Sequence, residues 1–140
     1  MPGRSLARLL VVEDEERLRG LVAGFLRAEG FVVVEAADGR EGVDRFADSG
    51  PFQLVMVDLN LPVFSGVEVC RRIKAAAPAQ RVLVCSAAVQ QDHETALAAV
   101  GVHHFLSKPY HPEALVAHIN SEIGGTGAPV PIPSRHARSA

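Results

Sequence analysis

Short apolar runs that each end at a polar side chain constrain the fold of this sequence more than any other feature. In one of them, the run Leu-Val-Met-Val leads directly to Asp58, and a turn follows at Pro62. A run of this kind is typical of a strand buried on both faces of a parallel sheet. A carboxylate at the end of such a buried strand costs free energy unless a cation or a hydrogen-bond donor pairs with it, so Asp58 is a candidate for chemistry. The alternative is a turn-forming aspartate that bonds its own backbone.

The same pattern recurs along the chain. Residues 9–12 are apolar and precede Glu13 and Asp14, residues 81–86 end in Ser86, and residues 102–106 come shortly before Lys108. Together with a run at residues 31–35, these segments predict five strands.

Segments of helical periodicity lie between the predicted strands. In the first, Gly30 is suited to end the helix, and five apolar side chains fall on one face: Leu18, Leu21, Val22, Phe25 and Leu26. A capping-box spacing at Asp38 predicts the start of a second helix, with Val43, Phe46 and Ala47 facing inward.

Three further helices complete the alternation. A second capping box at Ser65 starts the third helix, and Pro112 suits the first position of the fifth. The fourth is less sharply defined. We expect Asp92 to cap it and Gly101 to close it.

Five strands alternating with five helices predict an α/β fold, a doubly wound five-stranded parallel sheet with helices on both faces. A chain of 140 residues accommodates one such domain, which we place at residues 1–123. Residues 124–140 contain repeated glycine and proline without an apolar period, so we predict a flexible tail.

Composition excludes several classes of function. The formal net charge of -2 provides no basic field, which argues against direct nucleic-acid binding by this domain. No apolar run has the length of a membrane span and no signal-peptide core is visible, so we predict a cytoplasmic protein. Cys70 and Cys85 lie in apolar patterns and are expected to be free, buried and unreactive.

In a doubly wound sheet, the ends of the strands that lead to Glu13-Asp14, Asp58, Ser86 and Lys108 open on one edge. Carboxylates brought together there repel by roughly 4 kcal/mol per pair at 4 Å and an effective dielectric near 20, so a cation is expected among them. Oxygen ligands favour magnesium over zinc. Asp58 would then be the nucleophile for a phosphoryl group, with Lys108 and Ser86 holding its other oxygens.

At this point the sequence resembles the response-regulator receiver domains of two-component signalling, over about residues 6–123. Four spaced motifs carry the resemblance: Leu-Val-Val-Glu13-Asp14-Glu15; Val-Asp58-Leu-Asn60-Leu-Pro62 with Gly66; Val-Cys-Ser86-Ala87; and Phe105-Leu-Ser-Lys108-Pro109.

The resemblance implies a flavodoxin-like sheet of order 2-1-3-4-5 and a phosphorelay function. Asp58 would take a phosphoryl group from a phosphohistidine of a partner kinase or phosphotransfer protein. The implied magnesium ligands are Asp14, Asp58 and the carbonyl of Asn60, with Glu13 acting directly or through water. Ser86 and Phe105 would form the switch pair, and the bond before Pro109 would be the family's cis peptide.

The resemblance also implies that phosphorylation changes the affinity of the face formed by helix 4, strand 5 and helix 5 for a protein target. Glu13 stands where the family more often has aspartate, and Phe105 replaces the commoner tyrosine. His103 and His104 are interpreted as a solvated strand end, and no cysteine or histidine spacing indicates a zinc site.

Two other functions fit parts of the pattern. The first is a magnesium-dependent phosphohydrolase of the haloacid dehalogenase type, which would carry a second aspartate where this chain has Asn60. The second is a degenerate receiver, an interaction module that never takes phosphate. Such a module would usually have lost one of the acids that are present here.

Overall fold

The computed structural model describes residues 7–87 and 90–123. Within them, strands and helices alternate in the order β1 (Arg8–Val12), α1 (Glu16–Ala28), β2 (Val32–Ala36), α2 (Gly39–Ser49), β3 (Leu54–Asp58), α3 (Gly66–Ala76), β4 (Val82–Ser86), α4 (Gln91–Ala99), β5 (His104–Ser107) and α5 (Pro112–Ile123). The strands form one parallel sheet of order β2-β1-β3-β4-β5. The predicted doubly wound fold and its strand order are confirmed. The predicted tail, residues 124–140, lies outside the described residues.

Two apolar cores cover the two faces of the sheet, because successive side chains of a strand point to opposite sides. In β1, Leu9 and Val11 belong to the core beneath α1 and α5, whereas Leu10 and Val12 belong to the core on the opposite face. Every residue of β3 is buried. Full burial of one such aliphatic side chain contributes about 1.5–3 kcal/mol, so the central strands are rigid supports for whatever follows them.

The helix ends follow the capping predictions in most places. The Asp38 carboxylate accepts a hydrogen bond from the Glu41 backbone N–H at 2.7 Å, and the Ser65 hydroxyl accepts one from the Glu68 N–H at 3.2 Å. Gly30 and Gly101 adopt φ values of 102° and 88°, the left-handed conformation that glycine tolerates best. Local sequence therefore determines where most helices begin and end.

Three helix details differ from the predictions. Leu21 is 67% exposed because α1 buries a narrower stripe, formed by Val22, Ala23 and Leu26. Ala47 is exposed as well, whereas Val43 and Phe46 do pack against the core. The fourth helix is capped by Gln90 rather than Asp92, which lies in the first turn, where its negative charge interacts favourably with the helix dipole.

The strand limits differ slightly from the sequence prediction. Phe31 and Val102 are buried but precede the hydrogen-bonded ladders of β2 and β5 rather than opening them. Among the described residues, no helix combines the length and apolar character needed to cross a membrane.

Candidate functional site

Four strand ends bring the predicted polar side chains to one edge of the sheet. Glu13 and Asp14 follow β1, Asp58 is the last residue of the adjacent β3, and Ser86 is the last residue of β4. Lys108 follows β5, and its backbone N–H donates to the Ser86 carbonyl at 2.9 Å, which extends the β4–β5 pairing to the site. The parallel pairing of the strands thus brings these residues to one edge of the sheet, independently of any side-chain contact.

Lys108 is the centre of the site. Its ammonium Nζ lies 2.6 Å from Glu13 Oε1 and 3.0 Å from Asp58 Oδ2, so one cation bridges carboxylates from two strand ends. The second oxygen of each acid is also bonded. Glu13 Oε2 accepts from the Glu15 N–H at 3.0 Å, and Asp58 Oδ1 accepts from the Asn60 N–H at 3.3 Å. These contacts orient both acids toward the same space.

Burial and ion pairing have opposite effects on the pKa values of Glu13 and Lys108, and a different effect dominates in each residue. Burial raises the pKa of Glu13 above its usual value, and this effect exceeds the lowering by the Lys108 hydrogen bond. Burial alone would lower the pKa of Lys108, but its hydrogen bonds and its charge attraction with Glu13 and Asp58 together outweigh that effect and raise the pKa. The lysine therefore stays charged, while the enclosed glutamate lacks full compensation for its charge.

Carboxylate oxygens of Glu13, Asp14 and Asp58 lie within 4.8 Å of one another. Glu13 and Asp58 are buried, whereas Asp14 is exposed and leaves the group open to solvent. Magnesium favours one or two carboxylates and retains several waters, so this half-open set of oxygens fits it better than a closed site of nitrogen and sulfur ligands would. Asn60 lies in the exposed turn directly after Asp58.

The predicted switch residues lie on neighbouring strands. Ser86 is 1% exposed at the end of β4, and Phe105 in β5 is half-buried against the core that contains α3 and α4. The bond between Lys108 and Pro109 is cis, as the family resemblance implies, and a second cis bond joins Gly50 and Pro51.

Two residues near the site, Tyr110 and Val63, were not singled out from the sequence. Tyr110 lines a small cavity beneath Glu13 and Asp58, and burial raises the pKa of its hydroxyl above the usual value. Cys85 lines the same cavity, and burial raises the pKa of its thiol to about 12, which leaves it protonated and unreactive. Tyr110 directly follows Pro109, but no sequence periodicity distinguishes it.

The second residue missed is Val63, in the turn after Asp58. This turn is held by a hydrogen bond from the Gly39 N–H to the Pro62 carbonyl at 3.1 Å and by the Arg72 guanidinium, 4.0 Å from the centre of the Phe64 ring. Val63 has a φ of 71° and is 69% exposed. A β-branched residue in the left-handed region is strained, by about 1–2 kcal/mol.

We expect Val63→Gly to stabilise the protein by about 1 kcal/mol, because glycine adopts this conformation without a steric penalty. The free energy of unfolding in urea, followed by circular dichroism, measures the effect. Val32→Gly is the control. Val32 is a partly exposed valine in the extended β2 strand, where glycine should cost about 0.5–1 kcal/mol. Equal losses in both variants would contradict the strain at Val63.

Taken together, the fold and the site define a doubly wound α/β domain with an acidic pocket and a bridging lysine at the carboxyl edge of its sheet. Comparison with known proteins identifies the family. Residues 9–120 match the model of the response regulator receiver domain, and the chain belongs to that family, whose members act in two-component systems.

Individual relatives agree with this assignment. The chain is 34% identical over 119 residues to the alkaline phosphatase synthesis transcriptional regulatory protein SphR of Synechococcus elongatus, covering 79% of this chain and 46% of SphR. It is 29% identical over 116 residues to the cell cycle transcriptional regulator CtrA of Caulobacter vibrioides, covering 83% and 50%. The chain thus spans about half the length of these relatives.

Solved structures show the same fold. The chemotaxis protein CheY4 of Vibrio cholerae superposes with a TM-score of 0.78 at 27% identity, covering 83% of this chain and 98% of that one. A CheY-like receiver domain protein from Methanospirillum hungatei gives a TM-score of 0.81 at 24% identity, covering 85% and 94%.

Proposed function

We propose that this domain is a phosphoacceptor switch in which Asp58 receives a phosphoryl group from the phosphohistidine of a partner kinase or phosphotransfer protein. The observation that supports this most strongly is the position of Lys108, whose ammonium contacts both Glu13 and Asp58 from a third strand end. A lysine held there offsets part of the negative charge of the acids at rest and can turn to phosphoryl oxygens once they arrive.

The bonds that form and break in the transfer involve only the Asp58 carboxylate of this chain and the donor. An oxygen of Asp58 attacks phosphorus, the P–N bond of the phosphohistidine breaks, and an acyl phosphate forms while the imidazole leaves. Magnesium held by Glu13, Asp14, Asp58 and the Asn60 carbonyl would neutralise the charge that develops on the phosphoryl oxygens. Lys108 and the Ser86 hydroxyl bind the remaining oxygens.

Phosphorylation at Asp58 would then shift an equilibrium between two conformations of the domain. In this proposal Ser86 moves toward the phosphoryl group and the Phe105 ring turns inward. The change reaches the face formed by α4, β5 and α5, which alters its affinity for a protein target. The domain is thus mainly a switch that assists its own phosphorylation and slow dephosphorylation.

The relatives suggest the setting in which such a switch acts. Both SphR and CtrA are described as transcriptional regulators about twice as long as the matched region. The domain would therefore act either by docking to a separate partner or as the receiver part of a longer regulator, and without contacting nucleic acid itself. The cytoplasmic location predicted from the sequence, the domain limits at 1–123 and the flexible tail belong to the same proposal.

Asp58→Asn should abolish phosphoryl uptake. The protein is incubated with acetyl phosphate and magnesium, and the covalent phosphoryl adduct is detected by intact mass spectrometry. Asp44→Asn is the matched control, since Asp44 is an exposed carboxylate on α2 that should leave uptake unchanged. Uptake by the wild type and the control, but not by Asp58→Asn, is the expected result.

Two outcomes would overturn the proposal, and each favours one alternative. No adduct in any of the three proteins, with beryllofluoride and magnesium also without effect on the wild type, would indicate a degenerate receiver. Sustained turnover of small phosphate esters would indicate a phosphohydrolase of the haloacid dehalogenase type, although Asn60 stands where that class needs its second aspartate.

A further inference from the structure

A second group of metal-ligating side chains lies away from the acidic pocket, on the α5 side of the sheet. Nitrogen and oxygen atoms of His104, His118 and Glu122 all lie within 4.8 Å of one another. His118 and Glu122 are four residues apart on α5 and therefore share one helix face. His104 comes from β5, the strand at the edge of the sheet. The cluster thus joins an edge strand to the last helix.

The direction of His104 follows from the pleat of the strand. Leu106, two residues further on, packs against the core that contains the buried residues of α5. Phe105, between them, packs against the core on the opposite face. His104 therefore points to the α5 side of the sheet, and this direction brings its side chain to the helix. The neighbouring His103 would point away from α5.

Among the described residues, Glu122 has no lysine or arginine partner that would supply a permanent counter-charge. Its side chain is only 11% exposed, and its carboxylate Oε2 lies 2.7 Å from His104 Nδ1 and 3.7 Å from His118 Nε2. Within residues 7–87 and 90–123, these imidazoles are its ion-pair partners, and no lysine or arginine joins them. Imidazoles supply no permanent positive charge at neutral pH. A largely buried carboxylate in this setting favours a bound cation.

The separations suit a tetrahedral ion. Metal–ligand bonds of about 2.0–2.1 Å place neighbouring ligand atoms about 3.4 Å apart. The His118–Glu122 separation of 3.7 Å is close to this distance. The His104–Glu122 separation of 2.7 Å is shorter than this distance, so the ion would move these two groups apart by less than about 1 Å. His104 is 55% exposed and has room for that shift.

We propose that His104, His118 and Glu122 form a binding site for Zn²⁺ or a similar transition-metal dication. Two imidazoles and one carboxylate are a donor set that zinc prefers, and the exposed side of His104 leaves a fourth position for water or for a donor from a partner protein. Binding would tie β5 to α5 beside Phe105. The inference does not depend on phosphorylation of Asp58.

The test is titration of the full 140-residue chain with ZnCl₂, after bound metals have been removed with EDTA. Excess MgCl₂ occupies the acidic pocket during isothermal titration calorimetry. We expect one site of micromolar affinity or tighter. His118→Ala and Glu122→Gln should each weaken binding by about 100-fold or more, since even groups that merely support a metal ligand are worth about 10–100-fold.

Matched controls distinguish this site from other residues of the chain that could bind zinc. His111→Ala removes an exposed histidine just before α5 and should retain wild-type affinity, as should Asp58→Asn in the acidic pocket. Circular dichroism without metal verifies that each variant is folded. His104→Ala changes an exposed side chain, so it provides a variant that should fold even if the α5 variants do not. Co²⁺ substitution should give the visible absorption of a tetrahedral site in the wild type and not in His104→Ala.

The proposal is overturned if no saturable one-to-one binding occurs. It is also overturned if His104→Ala and His118→Ala bind zinc as tightly as the wild type, or if binding is lost in Asp58→Asn instead. The last result would assign the zinc to the acidic pocket, and it would leave the phosphoacceptor proposal intact.

Discussion

Gly66→Ala should lower the free energy of unfolding by about 3 kcal/mol or more, because overpacking against backbone cannot be relieved by a rotamer change. A Cβ atom at Gly66 would overlap the Asp58 carbonyl oxygen and lie 2.6 Å from the Leu59 Cα. The Gly66 N–H also donates to the Leu59 carbonyl at 2.8 Å, so α3 begins directly against the end of β3. Any shift that admits the methyl group moves the backbone that carries Asp58.

A control within the same chain isolates the steric effect. Gly24 lies on the exposed side of α1, and a Cβ there would meet nothing within 4 Å. Gly24→Ala should therefore stabilise the protein by up to about 1 kcal/mol through helix propensity. Urea unfolding of both variants gives the comparison. A Gly66→Ala protein as stable as the wild type would show that this junction tolerates a side chain.

Lys108→Met should have the second large effect, and it acts on both stability and chemistry. Without divalent ions, Glu13 and Asp58 lose the cation between them, and the loss of one partner of a buried ion pair costs about 3 kcal/mol or more. Phosphoryl uptake from acetyl phosphate should fall about 100-fold or more, by analogy with removal of a preorganised charge from a transition state. Magnesium should bind more tightly, because a competing positive charge has gone.

The stability of the Lys108→Met variant should change with pH in a definite direction. Glu13 already has a raised pKa, and removal of Lys108 removes the interactions that lower it. The folded variant then binds a proton more tightly than the unfolded chain, for which the ordinary value is 4.5. Its stability should therefore fall as pH rises from about 4.5 through the raised pKa of Glu13, and the deficit against the wild type should be smallest in acid.

Urea unfolding in EDTA across this pH range measures the deficit, and calorimetry measures the magnesium affinity. Lys74→Met is the control, because Lys74 is the only other lysine of the chain and bonds backbone carbonyls at the end of α3, away from the acids. A deficit that is the same for both variants, or one that does not change with pH, would contradict a charge-balancing role for Lys108.

Much of the fold could be predicted from the sequence because its determinants are local. Apolar runs of strand length, capping residues such as Asp38 and Ser65, and glycines at positive φ each act over a few residues. The predicted burial of a side chain was wrong where a helix face packs against the sheet. Leu21 has the spacing of a buried residue, but the width of the contact between α1 and the sheet decides its exposure.

The acidic pocket was predictable for a related reason. The carboxyl ends of parallel strands share one edge of a sheet, so a polar residue that ends each apolar run must lie near the others. This reasoning predicts a shared position for five residues, and the motifs of the receiver family name the same ones: Glu13, Asp14, Asp58, Ser86 and Lys108. Tyr110 and Val63 carry no such signal.

The sequence by itself determined the helices, the strands and the list of groups at the sheet edge, because periodicity and capping are properties of neighbouring residues. Only the tertiary structure decided which groups touch. Lys108 reaches Glu13 across 95 positions of the chain, and His104 meets the His118–Glu122 face of α5 in a cluster that no spacing along the chain indicates. Such contacts depend on strand order, register and the docking of a helix, which arise only when distant segments pack together.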